Sequence, residues 1–145
     1  MTTFAAPTAA LLPPPVARPR AARVGLAVLQ GLLAAIFLFS ASGKLSLDPT
    51  VVAGFAVMGF SPTGTVVIGV LELLGAIGLL VPRLSGIASW ALVALMVGAT
   101  LATVLFVGGA MVAVPALTLV LVAIVAGVRR REVTTLARAV RGLVR

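Results

Sequence analysis

Residues 62–81 read PTGTVVIGVLELLGAIGLLV, twenty positions whose only ionisable side chain is Glu72, and the run stops at Pro82-Arg83. A helix of that length rises about 30 Å, the thickness of a bilayer's hydrocarbon core. Ser61-Pro62 supplies an N-cap followed by a first-turn proline, and Pro82 marks the stop. A second apolar run starts at once, at Leu84, and lasts to about Phe106. The chain therefore crosses a membrane, turns within two residues and crosses back. Working outward, residues 24–42 form an earlier span between Arg23 and Lys44, and residues 111–128 a last one that stops at Arg129-Arg130-Arg131. Backbone groups in lipid must be satisfied within the segment, so four such spans predict an all-α integral membrane four-helix bundle.

Composition agrees. The chain is 61% hydrophobic and 10% charged, against about 45–50% and about 25% for a soluble domain. A soluble enzyme, a disordered chain and a fibrous repeat are excluded. Cys, His and Tyr are absent, which removes disulfides, thiolate and imidazole ligands and the commonest general base. No metal site and no resident cofactor are expected.

Charge sets the orientation. Arg18, Arg20 and Arg23 precede the first span, Arg83 separates the second from the third, and Arg129, Arg130, Arg131, Arg138, Arg141 and Arg145 follow the fourth. With four crossings all ten fall on one side and only Lys44 on the other. The positive-inside rule then places both termini in the cytoplasm of a multi-pass protein of the bacterial plasma membrane. Arg18 to Arg23 and Ser40-Ala41-Ser42 have the look of a cleavable signal. The apolar run is too long for one, and seventeen residues precede Arg18, so the segment reads as a span.

Three regions follow: a Pro-rich tail (1–20), the four-span domain (21–128) and a basic tail (129–145). Between the first two spans, Asp48-Pro49 is a cap and a helix-compatible proline, and Gly59 a stop. Residues 49–58 are thus expected as a short helix at the outer interface or dipping into the bundle. In the last region Val133, Leu136, Ala137, Val140, Leu143 and Val144 share one helical face flanked by Arg138, Arg141 and Arg145. This amphipathic helix is expected to lie on anionic lipid. Topology accounts for the arginines, and they lack interleaved aromatics, so nucleic acid is not an expected partner.

Small residues mark where membrane helices approach each other. Gly31 with Ala35, Gly69 and Gly75 in the second span, and Gly98 with Ala91, Ala94 and Ala102 in the third are the expected packing seams. Trp90 reads as an interfacial anchor or a bundle filler. Glu72 is the one carboxylate within a span, where a charge costs about 2.5–3.5 kcal/mol. It must face inward and either pair with a cation or stay protonated. Lys44 is the obvious cation, but with straight helices of equal depth it lies roughly 15 Å above Glu72. Ser40, Ser42, Thr65 and Gln30 are the other expected partners in this polar site.

The residues at 37–45 (FLFSASGKL), Gly59-Phe60, 69–82 (GVLELLGAIGLLVP) and 94–99 (ALMVGA) resemble the DoxX and DoxX-like family of small bacterial membrane proteins. The likeness covers about residues 24–128, and by position Lys44 and Glu72 match the family's polar pair. It implies a four-helix membrane bundle. Some relatives look like subunits of thiosulfate:quinone oxidoreductase or of assemblies linked to oxidative stress. Many relatives carry a His near the end of the third span, where this chain has residues 99–103 without one.

Three functions remain open. The first is a non-catalytic membrane subunit that anchors a redox complex, with lipids and a protein partner or a second copy around it. The second is a quinone-binding subunit with Glu72 exchanging the proton. The third is a small proton-coupled exporter with Glu72 as the coupling carboxylate.

Overall fold

The computed structural model describes the backbone from Pro19 to Leu143 and side chains as far as Arg130. The Pro-rich tail before Pro19 lies outside the described residues, as do the side chains of Arg131, Arg138 and Arg141. The helices are α1 (Arg20–Leu45), α2 (Pro49–Val57), α3 (Pro62–Leu80), α4 (Ser85–Phe106) and α5 (Ala113–Leu143), with a short 3₁₀ turn at Gly109–Val112 before α5. No strand occurs among the described residues. Four helices are long and apolar enough to cross a membrane: α1, α3, α4 and the stretch Gly109–Arg130.

The four long helices close a ring in which α1 packs on α3, α3 on α4, α4 on α5, and α5 returns to α1. Leu33, Ala34 and Phe37 of α1 meet Ala76 and Leu79 of α3, Leu92 and Met96 of α4, and Val122 and Val125 of α5. Outside the ring the apolarity continues. Phe39 is 84% exposed, Leu105 75% and Val114 71%. In water such a surface would be a large aggregation-prone patch; in hydrocarbon it costs nothing, and only close packing distinguishes inside from outside.

The glycines of α3 mark its closest approaches to its neighbours. A Cβ on Gly75 would overlap the Leu92 side chain, and one on Gly78 would lie 2.6 Å from the Ala88 Cβ. The backbones of α3 and α4 thus approach at the very end joined by the tight Pro82-Arg83 turn. Gly69 makes a similar approach to α1. Two expected seams are corrected. Gly31 and Gly98 are exposed and have nothing within 4 Å of a built Cβ. The buried stripe of α1 runs through Gln30, Leu33, Ala34, Phe37, Ala41 and Lys44, and that of α4 through Ser85, Ser89, Leu92 and Met96. Gly31 is a step of about 100° away from Gln30, and Ala91, Ala94 and Gly98 face outward with Trp90, which is 49% exposed and no bundle filler. The expected C-terminal helix is present and continues the last span without a break, α5 running from Ala113 to Leu143.

The connection from α1 to α3 is a series of interlocked caps. After α1, Asp48 N–H donates to Gly43 O at 3.0 Å and Leu47 N–H to Lys44 O at 3.3 Å. This double closure requires a left-handed residue, and Leu47 supplies it at φ 53°. The Asp48 carboxylate at once accepts from Thr50 N–H (2.9 Å) and Val51 N–H (3.3 Å), starting α2 with no spare residue. The end of α2 repeats the closure with Gly59 at φ 83°. Phe60 N–H donates to Phe55 O at 3.0 Å, and the two rings sit 5.7 Å apart. Ser61 then caps α3, its hydroxyl accepting from Gly64 N–H at 3.1 Å.

A left-handed leucine costs roughly 1–2 kcal/mol that glycine does not incur. Leu47→Gly is expected to raise stability by about 1 kcal/mol, read as a higher thermal midpoint in detergent. An unchanged or lower midpoint would mean that the Leu47 side chain itself holds the turn.

Candidate functional site

The site begins with the missing side chain of Gly69. A Cβ there would stand 2.9 Å from the Lys44 Cβ, 3.3 Å from Leu45 Cγ and 3.4 Å from Ala41 O. The last turn of α1 is therefore level with Gly69, seven residues inside the start of α3, and Glu72 is less than one turn further. The anticipated gap of about 15 Å assumed that α1 and α3 reach the same height. They do not, because α1 stops short and α2 covers its end.

Lys44 Nζ donates to Glu72 Oε2 at 2.9 Å, and the two side chains are only 8% and 5% exposed. The same ammonium donates to Ser40 Oγ at 2.6 Å and approaches Ser40 O at 3.4 Å. Its remaining side faces the Phe55 ring of α2, with the centroid 5.3 Å away. A cation over a ring face in a dry site gains about 2 kcal/mol. Charge, hydroxyl and ring thus close around the ammonium, and the carboxylate has its counter-ion in direct contact. Buried pairs of this kind barely repay their desolvation, but removing one member leaves an orphaned charge.

The remaining expected members separate. Ser42 Oγ donates to Phe39 O at 2.7 Å and Thr65 Oγ1 to Ser61 O at 3.2 Å, each within its own helix turn and apart from the ion pair. Gln30 is at the far end of the bundle. Its Nε2 donates to Leu79 O at 3.3 Å, while Arg129 Nη2 donates to its Oε1 at 2.8 Å, so one side chain ties α1 to α3 and α5. Arg129 is half-buried there and Arg130 exposed. Among the described residues no group of three or more His, Cys, Asp or Glu side chains is placed to hold a metal.

A family model described as DoxX-like matches residues 28–128. The chain belongs to the DoxX-like family. The matched range takes in Gln30, Lys44, Phe55, Glu72, the whole of α3 and α4 and most of the first and last spans, so the ion pair belongs to the region that defines the likeness. No curated protein and no solved structure matches this DoxX-like chain significantly.

Phe55 was legible only as one apolar position of a short helix. The clue lay in the framing caps: Asp48 four residues after Lys44 and Gly59 after nine helical residues confine α2 to the end of α1, where the Phe55 ring covers the ammonium.

Glu72→Leu or Lys44→Met alone is expected to cost about 3–5 kcal/mol, whereas the two combined recover most of the loss. Denaturation by SDS in mixed micelles measures the cycle. Additive losses in the double variant would reject a coupled pair.

Proposed function

We propose that this DoxX-like protein is a non-catalytic integral-membrane subunit that anchors a membrane-associated oxidoreductase or oxidative-stress complex. Its arginine end, bearing both termini, faces the cytoplasm in this reading, and the membrane is a bacterial plasma membrane. The observation that carries the proposal is the completeness of the Lys44–Glu72 pair. Glu72 accepts from Lys44, and Lys44 is surrounded by Ser40 and Phe55.

A carrier that exchanges protons for a cation uses a carboxylate whose counter-charge comes and goes. Here the counter-charge is covalently part of the bundle. A quinone site would place a headgroup beside Glu72. The apolar groove of about 380 Å³ between α3 and α4, lined by Leu71, Leu74, Gly75 and Leu92 among others, opens on the α4 side of α3, while Glu72 faces α1. Electron transfer also needs a cofactor, and a chain without His, Cys or Tyr offers few ligands for one. The short connections between spans leave no room for a soluble active site, so the chemistry belongs to a partner.

Purification of tagged protein in mild detergent, followed by mass spectrometry of proteins and lipophilic molecules, tests the reading. A stoichiometric protein partner is expected, and Glu72→Gln should reduce the yield of folded complex. A partner-free protein carrying a quinone that is lost in Glu72→Gln would overturn the proposal in favour of a redox site.

A further inference from the structure

The stagger that sinks Lys44 into the bundle has a counterpart at the opposite end. Gln30 is level with Leu79, next to the last residue of α3, yet it follows Arg20 by ten residues. The first turns of α1 thus overhang α3 by roughly 15 Å. On the neighbouring side α5 continues past Arg129 to Leu143. Beside these two walls the chain simply turns at Pro82-Arg83, and α4 begins at Ser85. The result is a shelf: low over the α3–α4 turn, high along α1 and α5.

The overhanging part of α1 is apolar and outward-facing, with Val24 63% and Val28 56% exposed. It belongs in hydrocarbon, with Arg23 at its edge. Arg83 then lies below the plane of Arg23, in a position that hydrocarbon alone would not solvate. Arg20, Arg23, Arg83 and Arg130 are all exposed at this end. The two carboxylates with described side chains are elsewhere, Asp48 capping α2 and Glu72 paired with Lys44. Arg129 is held by Gln30 and fixes α5 against α1. Four exposed guanidinium groups at one end of the bundle, beside a step in the helix ends, match a phosphate that reaches them from the lipid side.

We propose that this shelf binds the headgroup of an anionic phospholipid, with Arg83 and Arg130 contacting the phosphate and the Gln30–Arg129 contact holding the wall behind it. The lipid would sit lower than its neighbours, filling at this end the step that α2 fills at the other. A guanidinium near an anionic headgroup favours binding by about five-fold.

The probe is phosphatidylglycerol against phosphatidylcholine of the same chain length, added to delipidated full-length protein in a neutral detergent and counted by native mass spectrometry. Phosphatidylglycerol is expected to bind preferentially, and Arg83→Gln and Arg130→Gln each to lower that preference by about five-fold. Arg83→Lys should retain part of it. Both side chains are exposed, so the lipid-free thermal midpoint should be unchanged and the loss attributable to the site. Equal binding of the two lipids would overturn the proposal, as would a preference untouched by both substitutions. Displacement of phosphatidylglycerol by millimolar inorganic phosphate would instead identify a soluble-anion site and also overturn it.

Discussion

A charged carboxylate in the middle of a membrane span is the constraint to which the rest of the bundle answers. Glu72 needs a cation within hydrogen-bond reach, and the chain has one lysine. For that lysine to arrive, α1 must stop level with Gly69, and the absent side chain at Gly69 is what permits it. The pair therefore sets the register of α1 against α3. Sliding α1 by one turn, about 5.4 Å, would leave both charges alone in a dry interior. The pair contributes specificity more than net stability, which is how buried ion pairs act when they act at all.

From that register the two ends of the molecule follow. At the lysine end α3 stands proud of α1, and the step is occupied by α2, pinned by a cap motif at each terminus and presenting Phe55 to the ammonium. The chain tolerates a left-handed leucine at position 47 because the turn is dictated from both sides, by the carbonyls of α1 and by the Asp48 cap of α2. At the arginine end the same displacement leaves α1 and α5 projecting past the α3–α4 turn, with Gln30 bridging three helices. One interaction in the core thus accounts for a covered step and an open one.

The functional reading depends on the same closure. A carboxylate whose lysine, serine and aromatic neighbours come from its own chain is complete without a substrate. Membership in the DoxX-like family sets the scaffold, and the self-contained pair favours a scaffold's role over a carrier's. The exposed outer rows of the spans, including Ala91, Ala94 and Gly98, are left facing lipid or a partner.

Much of this was written in the linear chain. Four apolar runs of bilayer length determine four membrane helices, because no other backbone arrangement satisfies its hydrogen bonds in lipid. Asp48-Pro49, Gly59 and Ser61-Pro62 determine where α2 begins and ends and where α3 starts, because caps are local and act over three or four residues. Depth and rotation were decided only by the tertiary structure. Sequence spacing measures height along one helix, not the offset between two, so it left Lys44 too far from Glu72 and put Gln30 in the wrong cluster. Small residues on a membrane helix look the same whether they face a neighbour or a lipid tail. Gly31 and Gly98 therefore read as seams that Gln30, Leu33, Leu92 and Met96 in fact provide. In water, hydrophobicity would have separated the two faces. In lipid it is silent, and packing against a particular neighbour makes the choice.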